Sequence, residues 1–199
     1  GDLLHESGGF FGIKGLQVTT NYGDIPHWTQ PIISQPEIGI LGIIAKRFNG
    51  ILYFLLQAKP EPGNINTYQL SPTVQATKSN YKQLHNGKPT VYIEYFTNLK
   101  KRNVIVDQIQ SEQGARFYKK RNRNIIIEVP DNEEIKLGPN FCWLTLRQIS
   151  KMISIDNLIN MDTRSVIACI NFAPNNPTKF GPVKKNLLLE FLSDFSVVD

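Results

Sequence analysis

The chain has 199 residues, 41% of them hydrophobic and 20% charged, with a formal net charge of +5 and a pI near 9.2. That length and apolar content suffice for one hydrophobic core in a single domain and argue against disorder. The positive balance favours an anionic partner, nucleic acid or a phosphorylated small ligand, without choosing between them.

The opening "GDLLHESGG" lacks a basic start and a long apolar stretch, and no run of 18 apolar residues follows. A soluble, cytoplasmic protein with no membrane partner is therefore expected. Gly1 in place of Met points to a processed or engineered start. "GFFGIKGLQVTT" alternates enough for a strand, and "WTQPIISQPE" reads as an extended arm punctuated by proline. Asn49-Gly50, between two apolar runs, is the strongest short hairpin signal, so residues 39–48 and 51–58 are expected to pair antiparallel. The second of these strands delivers Lys59 and Glu61 into a loop stiffened by Pro60 and Pro62, and loops held by a rigid strand are where chemistry usually sits. "TYQLSPTVQ" predicts a further strand, bulged or at an edge because of Pro72. "SNYKQLHNGKP" predicts a short helix ending at Gly87, and "TVYIEYF", "NVIVDQIQ" and "NIIIEVP" are β-rich.

Later segments turn helical. In "FCWLTLRQISKMI" Thr145 and Gln148 form a T-x-x-Q capping signal, "MDTRSVIACI" starts from Asp162 as an N-cap, and "KKNLLLEFLSDF" is a third candidate helix. Strands first and helices later predict an α+β fold, with a mixed or antiparallel sheet flanked by helices. The core is expected over residues 10–170, with the Asn- and Pro-rich stretch from Asn171 to Pro182 as a linker and 171–199 as a C-terminal tail.

Several chemistries lose support at once. There is no GxGxxG or Walker loop, no GxSxG and no HExxH. Cys142 and Cys169 lack zinc-ligand spacing; one disulfide is formally possible, but free thiols are expected. His5, His27 and His85 are scattered and read as surface or satisfied residues. The basic run "YKKRNRN" at 118–124 is either a solvated turn or an anion contact, and it lacks the aromatic interleaving of an RNA binder, so no nucleic-acid partner is expected. What remains is a polar set: Lys59, Glu61, Tyr68, Gln75, Tyr81, Glu94, Gln110, Glu112, Arg116, Arg121 and Arg123. It suits acid–base chemistry on a hydroxylated, phosphorylated ligand, with a binding module or a scaffold as the alternatives.

The stretches "WTQPII", "QAKPEPGN", "QLSPTVQATKSNY", "YIEYF", "QSEQGARFYKKRNRN", "FCWLTLRQI" and "DNLINMDTRSV" resemble those of the NDP-hexose 2,3-dehydratases, from about Phe10 to Ile170. The resemblance implies a Nudix-like α/β module and, as substrate, a dTDP-linked 4-keto-6-deoxyhexose on its way to a 2,6-dideoxysugar. The Nudix metal-binding box is missing from this sequence, which speaks against divalent-metal pyrophosphate hydrolysis. Family members typically carry two modules in tandem, and this chain carries one. The resemblance therefore implies either a single module that pairs as a homodimer or a non-catalytic nucleotide-sugar-binding half of a larger assembly.

In the implied reaction the C4 ketone acidifies the C3 proton, the C2 hydroxyl leaves, and the enol ketonises to a 3,4-diketo-2,6-dideoxysugar that a 3-ketoreductase consumes. No redox cofactor or metal is required. The site needs a base at C3, an acid for the departing hydroxyl and donors aimed at the C4 oxygen. Under this resemblance Glu61 is the first candidate for base or acid, against a plain loop salt bridge to Lys59. Lys59 and Tyr81 are candidate donors. Glu112 is the second candidate base, beside the flexible Gly114. Glu94, alternating with Tyr92 and Phe96 along a strand, points either into the site or to solvent. Arg116, Arg121 and Arg123 are candidates for the diphosphate. Trp28 is preferred to Trp143 for stacking thymine, and Gln30, Gln57, Gln75 and Asn80 are candidates for the sugar hydroxyls or the thymine edge.

Overall fold

The computed structural model describes residues 2–4, 11–81, 89–99 and 102–171. The third candidate helix, the linker and tail beyond Asn171, His5, His85 and most of the helix expected to end at Gly87 lie outside these residues. Two sheets are present among the described residues. The smaller has the order β1-β2-β3, from Leu3–Leu4, Gly12–Thr19 and His27–Ser34. The proline-punctuated arm is thus a strand, with Pro31 opposite Gly15 across the β2–β3 pair.

The larger sheet is built on the expected hairpin. β4 (Gly39–Phe48) and β5 (Ile51–Pro60) pair antiparallel from Ile44↔Leu55 to Phe48↔Ile51. Asn49 and Gly50 turn the chain at φ 51° and 80°, the left-handed pair a two-residue type I′ turn needs. β6 (Tyr68–Pro72) pairs with β5 and β7 (Val74–Ala76) with β4, so the stretch around Pro72 is two short strands on two partners. The switch falls at Thr73, which is 2% exposed. Its hydroxyl donates to the Leu55 carbonyl and accepts from the Ile44 N–H, standing in for the ladder where β4 and β5 part. β8 (Asn103–Ser111), β9 (Arg121–Glu128) and β10 (Phe141–Thr145) complete the path β10-β5-β4-β9-β8. β4 and β9 run parallel, so the sheet is mixed and the fold is α+β.

Central strands buried on both faces read as unbroken apolar runs, and β4 divides its residues by parity. Leu41, Ile43 and Ala45 join Phe54, Leu56, Ile126, Ile149 and Val166 in one core cluster. Ile40 and Ile44 join Leu55, Ile125, Ile127 and Phe96 in the other. The first face is covered by α3 (Leu146–Ile153) and α4 (Met161–Ala168), and α2 (Glu94–Thr97) packs on the second. A short α1 (Lys78–Tyr81) follows β7. Thr145 and Gln148 form the expected capping box at the start of α3. Trp143 belongs to β10 rather than to that helix, and its ring meets Phe48 edge-on at 5.3 Å.

Two local expectations are corrected. "TVYIEYF" is not a strand: Tyr92 adopts φ 64° and α2 follows. Packing overrides β propensity here. Phe96 is fully buried over Gly42, where any Cβ would come within 2.6 Å of the ring, and the Tyr92 hydroxyl donates to the Lys136 carbonyl at 2.7 Å. The N-cap of α4 is Asn160 and not Asp162, because the Asn160 side chain accepts from the Thr163 N–H at 2.8 Å while donating to Ser71 Oγ at 2.9 Å. Among the described residues, no helix is long and apolar enough to cross a membrane, and both cysteines are free thiols.

Candidate functional site

Beyond the Ile44↔Leu55 pair, β4 and β5 separate, each taking a short strand as its new neighbour. At this splayed end lies a cavity of about 240 Å3. Gly39 and Leu41 line it from β4, Lys59 from β5, Gln75 from β7 and Asn80 from α1. Glu112, Phe117, Lys120 and Asn122 come from the β8–β9 connection and its flanks, and Asp162 comes from the first turn of α4. The parity that buries Ile126 under the helices turns Asn122 and Asn124 to the same side, so the cavity opens on the α4 face of the sheet.

Hydrogen bonds order these polar groups. Lys59 Nζ donates to Glu61 Oε1 at 3.1 Å, and Gln75 Nε2 donates to the same oxygen at 3.0 Å. Asn160 reaches Gln75 Oε1 at 3.4 Å, tying this group to the α4 cap. Glu61 thus stands one residue back from the cavity and holds two residues that line it, and its salt bridge to Lys59 is real. Glu112 is set by two donors, Asn122 Nδ2 at 2.6 Å on Oε2 and the Gln113 N–H at 3.1 Å on Oε1. Lys120 is 5% exposed and its ammonium donates to the Glu37 carbonyl. Burial pushes its pKa down, against the opposing pull of Glu37 and Glu112. Asp162 is pushed up to about 6, first by burial, then by the charges of Glu112 and Glu61, with Lys59 pulling the other way.

An adjoining cavity of about 410 Å3 shares Glu112, Phe117 and Lys120 and adds Ser111, Gly114, Lys119 and Arg121. The two spaces together place a carboxylate-and-lysine chamber next to a cationic one.

The remaining expected residues fall elsewhere. Arg123 forms a bidentate pair with Asp107, at 2.7 and 2.6 Å, which lowers the Asp107 pKa. By strand parity it faces the side away from Asn122. Arg116 is exposed and lines neither cavity. Tyr81 is half-buried against the second core cluster, near Arg123. Glu94 is exposed on α2, across the sheet. Trp28, 39% exposed on the small sheet, donates to Gln30 Oε1 at 2.8 Å, and Gln30 donates to the Ala115 carbonyl at 2.9 Å. Gln57 lies on β5 opposite Ser71, outside the lining, and Tyr68 is exposed on β6. Gln110 donates to Cys169 Sγ at 2.9 Å.

Sequence reasoning missed Asp162, Lys120 and Asn122 as site residues. Asp162 was absorbed by its reading as a cap, although Asn160 stands two residues earlier as a competitor. Asn122 and Asn124 are alternate residues of β9, which runs on through Ile125–Ile127, and that period separates them from Arg121 and Arg123; Lys120 immediately precedes the strand.

The fold is an α+β module whose cavity brings carboxylates and lysines together, a set suited to acid–base chemistry or to holding a polar, anionic ligand. The sequence model of the NDP-hexose 2,3-dehydratase family matches residues 1–170, and the chain belongs to that family. It is 54% identical over 171 residues to the dTDP-4-dehydro-6-deoxy-alpha-D-glucopyranose 2,3-dehydratase of Saccharopolyspora spinosa, a match covering 86% of this chain and 35% of the relative. The protein of the same name from Amycolatopsis orientalis is 51% identical over 182 residues, covering 89% and 38%. The chain thus spans little more than a third of the length of these curated relatives. Among solved structures it is similar to the C. elegans Ap4A hydrolase, at 14% identity and TM-score 0.39, over 67% of this chain and 95% of that one. The M. smegmatis Nudix hydrolase RenU is similar at 12% identity and TM-score 0.38, over 76% and 95%.

Proposed function

We propose that this chain carries a 2,3-dehydratase site for dTDP-4-keto-6-deoxyglucose, which loses water across C2 and C3 and yields the 3,4-diketo-2,6-dideoxysugar. The observation that carries the reading is the meeting of Glu112 and Lys59 across one cavity, with Glu61 holding Lys59 and Asn122 holding Glu112. Glu112 takes the C3 proton, and Lys59 donates to the C4 oxygen as charge gathers there. Glu61 orients Lys59, and Gln75 and Asn80 bond the sugar hydroxyls. The diphosphate occupies the adjoining cavity, where Lys119 and Arg121 supply charge-assisted hydrogen bonds.

The test is to incubate the purified chain with dTDP-4-keto-6-deoxyglucose, a 3-ketoreductase and NADPH. A dideoxysugar nucleotide is expected, and recovery of unchanged substrate would refute the reading. The limited coverage of the relatives favours a second reading, a nucleotide-sugar-binding part of a longer enzyme without turnover of its own. Substrate that binds but persists in the same assay selects it.

The assembly we propose is a homodimer in a cytoplasmic enzyme. The small N-terminal sheet exposes Leu3 and Leu4 at 69% each, and exposed apolar surface is commonly covered by a partner. Light scattering at micromolar concentration should give about twice the 22.6 kDa chain mass. A monomer that turns over substrate would rule the dimer out.

A further inference from the structure

Beneath the main cavity lies a second, far smaller chamber of about 20 Å3, enough for one water. Asp162, Glu112 and Asn122 line both spaces, while Asn124 and Ser165 line only the chamber. Asn124 is 1% exposed, and its Oδ1 is a buried acceptor without a donor among the described residues. Its amide nitrogen bonds the Asn122 carbonyl at 3.3 Å, which fixes the side chain with the oxygen as the unmatched end. Native structures rarely leave such an acceptor orphaned, since the loss amounts to a whole hydrogen bond.

The other side-chain amides lining the chamber are engaged elsewhere, Gln110 with Cys169 Sγ and Asn122 with Glu112. Three chamber groups remain able to donate: the Ser111 and Ser165 hydroxyls and the Asp162 carboxyl in its protonated form. Asp162 has specific reason to hold a proton. It is half-buried in the first turn of α4, Glu61 and Glu112 face it, Lys59 and Lys120 are the cations on the same cavity, and no described group donates to it.

We propose that Asp162 is the general acid of this site, and that Asn124 is its positioning residue, accepting the resting proton directly or through the one water the chamber admits. This rests on the dehydratase reading above and supplies the group that reading lacks. Glu112 removes the C3 proton, and the electron pair moves into the C3–C4 bond with charge on the C4 oxygen. The pair then returns to form the C2–C3 double bond as the C2–O bond breaks. The departing oxygen takes the Asp162 proton and leaves as water. Ketonisation places one proton on C2 and releases the one on the C3 oxygen. The proton gained by Glu112 returns to Asp162 through solvent, so the site is restored with no other reactant.

The experiment combines two readouts on the full chain. With 13C-labelled aspartate, the Asp162 carboxyl is expected to titrate near 6 in the wild type and about 1 unit lower in Asn124→Ala, the scale of one hydrogen bond. In turnover, Asp162→Asn is expected to lower kcat about a hundredfold with dTDP affinity unchanged, and Asn124→Ala to move the alkaline limb of the kcat profile to lower pH. An Asp162 that titrates near 4, or an Asp162→Asn enzyme as fast as the wild type, overturns the acid role alone. A wild type that binds the nucleotide sugar without turnover overturns the dehydratase reading and the acid role with it.

Discussion

Asp162 carries a cost to the fold. Its pKa rises from 3.8 to about 6, because burial and two neighbouring carboxylates disfavour the charged form. The folded chain therefore holds this proton more tightly than the unfolded chain. Stability from this group is fully present below about pH 4 and is lost as pH rises through about 6. Asp162→Asn removes the ionisation, so it should stabilise the protein by up to about 2–3 kcal/mol at pH 8 and by almost nothing near pH 4. Urea unfolding at the two pH values measures the difference, and an equal effect at both would place Asp162 outside the buried cluster. The cations separate in the same way. Arg121 lines the cationic cavity while Arg123 is held by Asp107. Arg121→Ala should weaken dTDP binding by about 1.5–3 kcal/mol, whereas Arg123→Ala should leave it unchanged in calorimetry. Sequence alone treated these arginines as equals, because a basic run does not say which of them meets a carboxylate on the neighbouring strand.

The elements divide by how local their causes are. The β4–β5 hairpin was legible because Asn49-Gly50 supplies its own turn geometry, and α3 was legible because Thr145 and Gln148 cap each other within four residues. The helix at Glu94 was not, since its cause is Phe96 filling the space over Gly42, more than fifty positions away. The cap of α4 depended likewise on Ser71, a distant partner that selects Asn160 over Asp162. The split at Thr73 belongs with these long-range causes. Its buried hydroxyl serves the Leu55 carbonyl and the Ile44 N–H where the two central strands part. Thr73→Val keeps the shape and orphans both groups, so it should destabilise the fold by about 1–3 kcal/mol in denaturant titration. Because that junction opens the cavity, ligand affinity should fall together with stability. A neutral Thr73→Val would mean that the ladder does not need the bridge.

At the scale of the molecule, one mixed sheet holds two apolar cores apart and lets its central strands diverge at one end, where polar side chains from β5, β7, β9 and α4 converge. The family was legible from long ordered motifs, and Lys59, Gln75, Asn80 and Glu112 were legible with them, because they stand in or beside those stretches. How acid and base divide among the carboxylates was not legible, since it depends on which of them has donors and which is crowded by like charge. Glu112 has two donors and lines the cavity; Glu61 reaches it through Lys59 and Gln75. The most direct measurement is turnover of dTDP-4-keto-6-deoxyglucose by wild type, Glu112→Gln and Glu61→Gln, with dTDP affinity followed in all three. Wild-type turnover, a loss of about a hundredfold or more in Glu112→Gln and retained dTDP binding are expected if Glu112 is the base. Undiminished turnover in Glu112→Gln, or its loss only in Glu61→Gln, would contradict that assignment.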